Sequence, residues 1–117
     1  MTDGYTPPRP WLASYGTTIP QDLPPSSYAS LADLVDRASA TYAKRRAFTC
    51  VVPNGMNGTL SYAQVGAMSD AFAAYLRQDC GLQPGDRVAV QLPNGLPYPV
   101  VAFGVFKAGC VLVNTNP

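Results

Sequence analysis

The clearest pattern in the sequence is an apolar stripe at helical spacing between residues 31 and 44. Apolar side chains recur there at i, i+3, i+4, i+7 and i+11, and the charged residues fall on the opposite side. The stripe consists of Leu31, Leu34, Val35, Ala38 and Tyr42. Ser30 precedes it and can accept a hydrogen bond from a free amide of the first turn. The pattern predicts an amphipathic helix over residues 31–44, with Ser30 as its N-cap.

A second amphipathic helix is predicted from Ser61 to about Asp79. Ser61 and Gln64 have the spacing of a capping box, in which each side chain accepts a hydrogen bond from the other residue's amide. Gly81 follows as a stop signal. The predicted buried stripe consists of Val65, Met68, Phe72 and Leu76, with Tyr75 beside it.

A β-hairpin is predicted between these helices. Residues 47–52 alternate in the manner of a strand, and residues 59–62 form a short second strand. The glycine-rich segment 53–58 lies between them and has neither the lysine nor the strand-to-helix context of a phosphate-binding loop. It is therefore interpreted as a hairpin turn.

The last third of the chain predicts a strand, a helix and a strand. Residues 87–92 and 110–114 are almost continuously apolar, which is typical of parallel strands covered on both faces, and residues 98–108 between them form an apolar helix. Such a βαβ unit has parallel strands. A sheet that stops after two parallel strands is unfinished, so we expect residues 30–117 to be the start of a larger domain, truncated here.

Residues 1–29 are predicted to form an irregular arm, because proline recurs there and blocks regular structure. Trp11 and Tyr15 are too apolar for a loose tail. We expect them to anchor the arm to a surface of this chain, of a missing part or of a partner chain.

Composition excludes several functions. The chain has 117 residues, enough for one small domain, and its net charge of +1 gives no reason to expect nucleic acid as a partner. It contains no histidine, so histidine triads and histidine-rich metal sites are absent. Three separated cysteines (Cys50, Cys80, Cys110) are interpreted as small buried residues in a reducing compartment.

No signal peptide or bilayer-spanning run is present in the sequence, so we expect a cytoplasmic protein. Peripheral association with a membrane surface stays open.

The best candidate site lies beyond the carboxyl ends of the two parallel strands, where ligands of open α/β sheets bind. Asn94 follows the first strand, and Asn114, Thr115 and Asn116 close the second. These residues could equally be ordinary turn and cap residues. No motif in the sequence carries chemistry on its own, so we assign no catalytic residue and no metal ligand.

The segment GLQPGDRVAVQLPNGLPYPVVAFGVFKAGCVLVNTNP resembles the opening section of the acyl-adenylate-forming superfamily. The closing Val-Asn-Thr-Asn-Pro resembles bacterial long-chain fatty acyl-CoA ligases in particular. Upstream, Trp11-Leu12-Ala13-Ser14-Tyr15 resembles the arm of that subgroup, and TLSYAQVGAMSDAFAAYL resembles the family's Thr-Tyr-x-Glu-Leu helix, with Gln64 and Val65 in place of Glu and Leu.

This resemblance implies a partial N-terminal subdomain of the adenylate-forming α/β fold. It implies a parent enzyme that activates a long-chain fatty acid with ATP and Mg²⁺ to an acyl-adenylate and then transfers the acyl group to CoA. The family's catalytic motifs lie beyond Pro117, so the fragment alone is expected to be inactive and to bind none of these cofactors. By position, Asn114, Thr115 and Asn116 would lie near the CoA nucleotide. Trp11 and Tyr15 would belong to a homodimer arm.

Two alternatives stay open. One is an adenylate-forming enzyme for another acyl or aryl acid. The other is a free-standing α/β module for binding or dimerisation.

Overall fold

The computed structural model describes residues 8–116, so the first residues of the arm and Pro117 lie outside the described residues. A short 3-10 helix, three α-helices and four strands are present in this range. The 3-10 helix is Pro10–Ser14, and the other elements follow in the order α1 Leu31–Thr41, β1 Arg46–Val51, β2 Asn57–Ser61, α2 Tyr62–Gln78, β3 Arg87–Val90, α3 Pro97–Lys107 and β4 Val111–Asn114. The predicted α/β combination of a hairpin, two amphipathic helices and a βαβ unit is confirmed.

Helix α1 begins where the sequence predicts and ends three residues early. The hydroxyl of Ser30 accepts a hydrogen bond from the amide of Asp33 at 3.1 Å. The helix ends at Thr41 because the chain must turn to pair Arg46 with Ser61 at the base of the hairpin. The ring of Tyr42 fixes this turn by packing on Tyr62, with 5.7 Å between the ring centroids.

The hairpin formed by β1 and β2 is antiparallel, as predicted. Cys50 lies opposite Gly58, and Thr49 lies opposite Thr59, whose hydroxyl oxygen is 2.9 Å from that of Thr49. Since side chains alternate along a strand, Phe48 and Cys50 share one face. Phe48 packs on Phe103 of α3, with 6.1 Å between the ring centroids, so this face is directed toward the helices.

Helices α2 and α3 form the tightest contact of the fold. The capping box of Ser61 and Gln64 starts α2, as predicted. A methyl group added to Gly104 of α3 would lie 2.7 Å from Phe72 and 3.0 Å from the carbonyl oxygen of Ser69. Ser69 is fully buried, and its hydroxyl donates to the carbonyl of Gly66. The two helices therefore approach through small residues.

Because of this close approach, the buried face of α2 differs from the face that the sequence predicted. Val65 and Leu76 are buried as predicted, whereas Met68 is exposed and Phe72 is only half-buried. The prediction that Met68 is buried is wrong, because small side chains occupy the face toward α3.

Strands β3 and β4 pair in parallel, as predicted, with Val90 opposite Asn114. Val88 and Leu112 pack on the core cluster between the sheet, α2 and α3, which consists of Ala73, Leu76, Val105, Ala108 and Cys110. Within this chain the prediction that both faces are covered is wrong, since Ala89 and Val111 are exposed.

The three cysteines are free and differ in their burial. Cys110 belongs to the buried cluster and Cys50 is half-buried, in agreement with their apolar surroundings. The prediction of burial is wrong for Cys80, which is exposed because it lies in the turn that ends α2.

Lys107 links the three α-helices. Its ammonium lies 2.7 Å from a carboxylate oxygen of Asp36 on α1 and 2.6 Å from one of Asp70 on α2. The lysine side chain is only 6% exposed, whereas both aspartates are more than half exposed. The ammonium also lies 3.4 Å from the carbonyl oxygen of Gly66. A buried charge is tolerated here because its partners are close and reach solvent.

Two opposing effects determine the pKa of Lys107. Burial alone would lower the pKa of Lys107, but the hydrogen bonds to Asp36 and Asp70 outweigh it, so the pKa lies above its ordinary value. A raised pKa in the folded state favours folding while the lysine is protonated. The stabilisation is therefore fully present at neutral pH and is lost as the pH rises through the raised pKa.

We predict that removing the two acids costs more than removing the lysine. In Asp36→Asn/Asp70→Asn the buried ammonium loses both carboxylates, so the free energy of unfolding should fall by about 1–3 kcal/mol. In Lys107→Met the apolar length is kept and the aspartates stay solvated, so the loss should be under about 1 kcal/mol. Urea denaturation at pH 7 measures both, with Asp79→Asn as an exposed control. A larger loss in Lys107→Met than in the double variant would contradict this account.

Candidate functional site

The carboxyl ends of β3 and β4 lie side by side, because the strands are parallel and Val90 pairs with Asn114. The segments that follow them, 91–96 and 115–116, therefore start from the same edge of the sheet. This is the arrangement that the sequence predicted for the candidate site.

Hydrogen bonds hold the end of β4 in place. Both the amide and the hydroxyl of Thr115 donate to the carbonyl of Val90, at 3.0 and 3.2 Å. The Tyr98 hydroxyl donates to the side-chain oxygen of Asn114 at 3.0 Å, and the side-chain amide of Gln91 donates to the backbone carbonyl of Asn116 at 3.1 Å. Asn114, Thr115 and Asn116 are nevertheless exposed, so their remaining donors and acceptors face solvent.

Gln91 and Tyr98 are parts of this edge that sequence reasoning missed. Gln91 is the first polar residue after an apolar strand, and Tyr98 lies in the first turn of α3. Both positions place a polar group at the carboxyl edge of the sheet, and this placement is the signal that could have identified them.

Asn94 lies at the same edge but has different neighbours. It lines a cavity of about 330 Å³ with Gly95, Leu96 and residues 48–51 of β1. None of the hydrogen bonds among residues 8–116 joins Asn94 to Asn114, Thr115 or Asn116. The structure thus separates the two predicted candidate segments into a hydrogen-bonded edge and the wall of a cavity.

The side chains of the Asn114–Asn116 segment are polar but uncharged. Its side chains carry two amides and one hydroxyl, and no charge. Such groups fit the uncharged base or ribose of a nucleotide, whereas phosphate groups require cations or converging backbone amides. In the part of the chain that the structure describes, no group of three or more His, Cys, Asp or Glu residues could hold a metal ion.

Hydrogen bonds within the N-terminal arm close residues 9–22 into a loop. Arg9 donates to the carboxylate of Asp22 and to the carbonyl of Gln21, both at 2.6 Å. Inside this loop Trp11 is 50% exposed and Tyr15 is 41% exposed. The 3-10 helix contains Trp11 and ends just before Tyr15, and its backbone approaches none of the other described helices and strands closely. None of the helices among residues 8–116 combines the length and apolarity that crossing a membrane requires.

With this geometry established, the chain can be placed in a family. Residues 35–117 match the model of the AMP-binding enzyme family, and the chain belongs to that family. It is 41% identical over 107 residues to the long-chain-fatty-acid--CoA ligase of Yersinia pestis, an alignment that covers 92% of this chain and 18% of the relative. It is also 43% identical over 61 residues to the salicyl-AMP ligase / salicyl-S-ArCP synthetase of Mycobacterium tuberculosis, covering 52% of this chain and 11% of that protein.

A solved structure shows the same fold. The chain superimposes on the fatty acid AMP ligase from Legionella pneumophila with a TM-score of 0.69 and 32% sequence identity, covering 75% of this chain and 15% of that one. The chain thus spans less than a fifth of the length of these relatives.

We predict that Tyr98→Phe releases the side chain of Asn114. The variant keeps the ring and removes a hydrogen bond on an exposed edge, so the free energy of unfolding should fall by at most about 1 kcal/mol. The side-chain amide signals of Asn114 in a ¹⁵N–¹H NMR spectrum should shift. Tyr28→Phe, on the arm, is the matched control and should leave them in place. Unchanged Asn114 signals in Tyr98→Phe would contradict this description of the edge.

Proposed function

We propose that this chain supplies the N-terminal part of a long-chain-fatty-acid--CoA ligase. The observation that carries the proposal is the 41% identity to such a ligase over 92% of this chain. The contribution of the chain is structural, since we assign it no catalytic residue. It supplies two parallel strands, the helices behind them and an ordered edge at the carboxyl ends of the strands.

The reaction proposed for the whole enzyme has two steps, both implied by the family resemblance. In the first, an oxygen of the fatty carboxylate forms a bond to the α-phosphorus of ATP, and pyrophosphate leaves. In the second, the acyl carbon forms a thioester bond with the sulfur of CoA, the thiol loses its proton, and AMP leaves. Mg²⁺, when bound, would neutralise phosphate charge during the first step. Its ligands are proposed to lie in the rest of the enzyme.

Asn114, Thr115 and Asn116 are proposed to lie near the CoA nucleotide. The support is their position after the second parallel strand, together with their uncharged amide and hydroxyl groups. Tyr98 and Gln91 would act as positioning residues, because they hold Asn114 and the backbone of Asn116. The phosphates of CoA would require cationic groups from outside this segment.

Trp11 and Tyr15 are proposed to anchor the arm to a second copy of the ligase in a homodimer. The support is the exposure of both aromatic side chains on a loop closed by Arg9 and Asp22. The proposed location is the cytoplasm, and a peripheral contact with the inner membrane is consistent with an apolar substrate.

A second candidate function is the adenylation of an aryl acid. The 43% identity to the salicyl-AMP ligase favours it, but that match covers only 52% of this chain. The free-standing module is disfavoured by the large apolar side chains that are exposed, among them Leu31, Val51 and Met56.

A chimera tests the proposal. The aligned section of the Yersinia pestis ligase is replaced by this chain, and palmitoyl-CoA formation is measured with ATP, Mg²⁺ and CoA. We expect the chimera to form palmitoyl-CoA and to leave salicylate unreacted. The isolated chain and the relative without the section should both be inactive, since neither has a complete fold.

Two results would contradict the proposal. A soluble, folded chimera that is inactive with palmitate would exclude the long-chain ligase. Activity only in a matched chimera, in which this chain replaces the aligned section of the salicyl-AMP ligase, would favour the second candidate.

A further inference from the structure

The sequence contains three Asn-Gly steps, and the structure places them in different surroundings. They are Asn54-Gly55 in the hairpin loop, Asn57-Gly58 in β2 and Asn94-Gly95 between β3 and α3. Glycine leaves its own backbone nitrogen open to the preceding asparagine side chain, because it has no Cβ to obstruct the approach. An Asn-Gly step is therefore a position where a side-chain amide can convert spontaneously to an acid.

This conversion needs only the chain and water. The glycine nitrogen loses its proton and forms a bond to the side-chain carbonyl carbon of the asparagine. The bond between that carbon and the side-chain nitrogen breaks, and the nitrogen leaves with the proton as ammonia. Water then opens the resulting five-membered imide at either carbonyl, which yields aspartate or isoaspartate. The reaction requires a glycine nitrogen and an asparagine side chain that are both free to approach each other.

Hydrogen bonds hold both reacting groups at Asn54-Gly55. The side-chain oxygen of Asn54 accepts from the amide of Met56 at 3.1 Å. The amide of Gly55 donates to the carbonyl of Val52 at 2.9 Å. Ring closure at this step would break both hydrogen bonds.

The pairing of the hairpin restrains Asn57-Gly58. Both residues lie in β2, where Asn57 is opposite Val51 and Gly58 is opposite Cys50. The backbone of a strand is extended and directs successive side chains to opposite faces, away from the next residue's amide. Ring closure at this step would require the end of the hairpin to open.

Neither restraint is present at Asn94-Gly95. Asn94 is exposed, and the step lies outside the helices and strands. Among residues 8–116, no hydrogen bond engages the side chain of Asn94 or the amide of Gly95. Both reacting groups are therefore available.

We propose that Asn94 is a site of spontaneous deamidation, through attack of the Gly95 backbone nitrogen on the Asn94 side chain. The observation that carries the proposal is that, of the three Asn-Gly steps, this is the one where neither hydrogen bonds nor strand pairing oppose ring closure. The proposal goes beyond the ligase function and does not depend on it.

Deamidation at Asn94 would alter the candidate site. The carbonyl of Gly95 accepts from the amide of Tyr98 at 3.2 Å, and the hydroxyl of Tyr98 holds Asn114. Isoaspartate adds a methylene group to the main chain just before α3. Either product also adds a carboxylate to a cavity wall that has no charged side chain. The Tyr98–Asn114 hydrogen bond should therefore weaken as the protein ages.

Ageing of the isolated chain at mildly alkaline pH, where the glycine nitrogen loses its proton more readily, tests the proposal. Peptide mass spectrometry measures the conversion of amide to acid at each step. Asn94 should convert about fivefold or more faster than Asn54 and Asn57, because no hydrogen bond has to break first. In guanidinium chloride, which removes the restraints, the three rates should be similar. Equal rates in native buffer, or faster conversion at Asn54 or Asn57, would overturn the proposal.

Gly95→Ala is the matched variant. A Cβ at this position would lie 3.6 Å from Cδ of Pro97 and 3.9 Å from the carbonyl oxygen of Pro93, which is ordinary contact, so the fold should be kept. The added methyl group obstructs attack by the backbone nitrogen, so conversion of Asn94 should slow several-fold while conversion of Asn54 stays the same. An unchanged rate at Asn94 would refute attack by the Gly95 nitrogen.

The effect on the candidate site has its own measurement. The side-chain amide signals of Asn114 in a ¹⁵N–¹H NMR spectrum should shift in the aged protein as isoaspartate accumulates. Asn94→Asp adds the charge without lengthening the main chain and should shift them less. Unchanged Asn114 signals in fully converted protein would refute the link between Asn94 and the edge of the sheet.

Discussion

The close contact between α2 and α3 is the constraint on which the rest of this structure depends. Gly104 leaves room for the Phe72 ring and the Ser69 carbonyl, which any side chain at this position would displace. The contact holds Val105 and Leu76 in one core cluster, and the parallel strands are packed on the same cluster. The position of the sheet edge with Asn114, Thr115 and Asn116 therefore follows from how closely two helices approach.

Lys107 adds ion pairs to the apolar packing of the helices. The contact at Gly104 sets how closely α2 and α3 approach, and an ammonium held by two carboxylates adds a contact with a preferred position. The ion pairs tie α1 to α3 and α2 to α3 at one point. Because the aspartates lie at the solvent boundary, they stabilise the buried lysine without being strongly desolvated themselves.

Most of the local structure could be predicted from the sequence, since it depends on neighbouring residues. Ser30 and the pair Ser61–Gln64 cap their helices as their spacing predicts, and the hairpin and the parallel unit follow from their apolar patterns. The errors arise where tertiary contacts decide. The prediction that Met68 is buried was wrong because small residues line the face of α2 that meets α3. The prediction that Cys80 is buried was wrong because Cys80 lies in the turn after α2, where its side chain is exposed.

The candidate site was predicted in part for the same reason. The carboxyl edge of two parallel strands is a consequence of topology, so Asn114 and its neighbours could be placed there in advance. The Tyr98–Asn114 and Gln91–Asn116 hydrogen bonds join residues 16 and 25 positions apart, and the Lys107 ion pairs join three separate helices. Such pairings depend on the relative placement of elements, which periodicity does not specify.

Among residues 8–116, helices α2 and α3 share a buried core, whereas each sheet has two strands. Hydrogen–deuterium exchange of the isolated chain measures the difference in stability, because protection of each amide reports local opening. We expect slow exchange in α2 and α3, and clearly faster exchange in the four strands. Strands as strongly protected as the two helices would show that the sheets are stable without further cover, and would refute this interpretation.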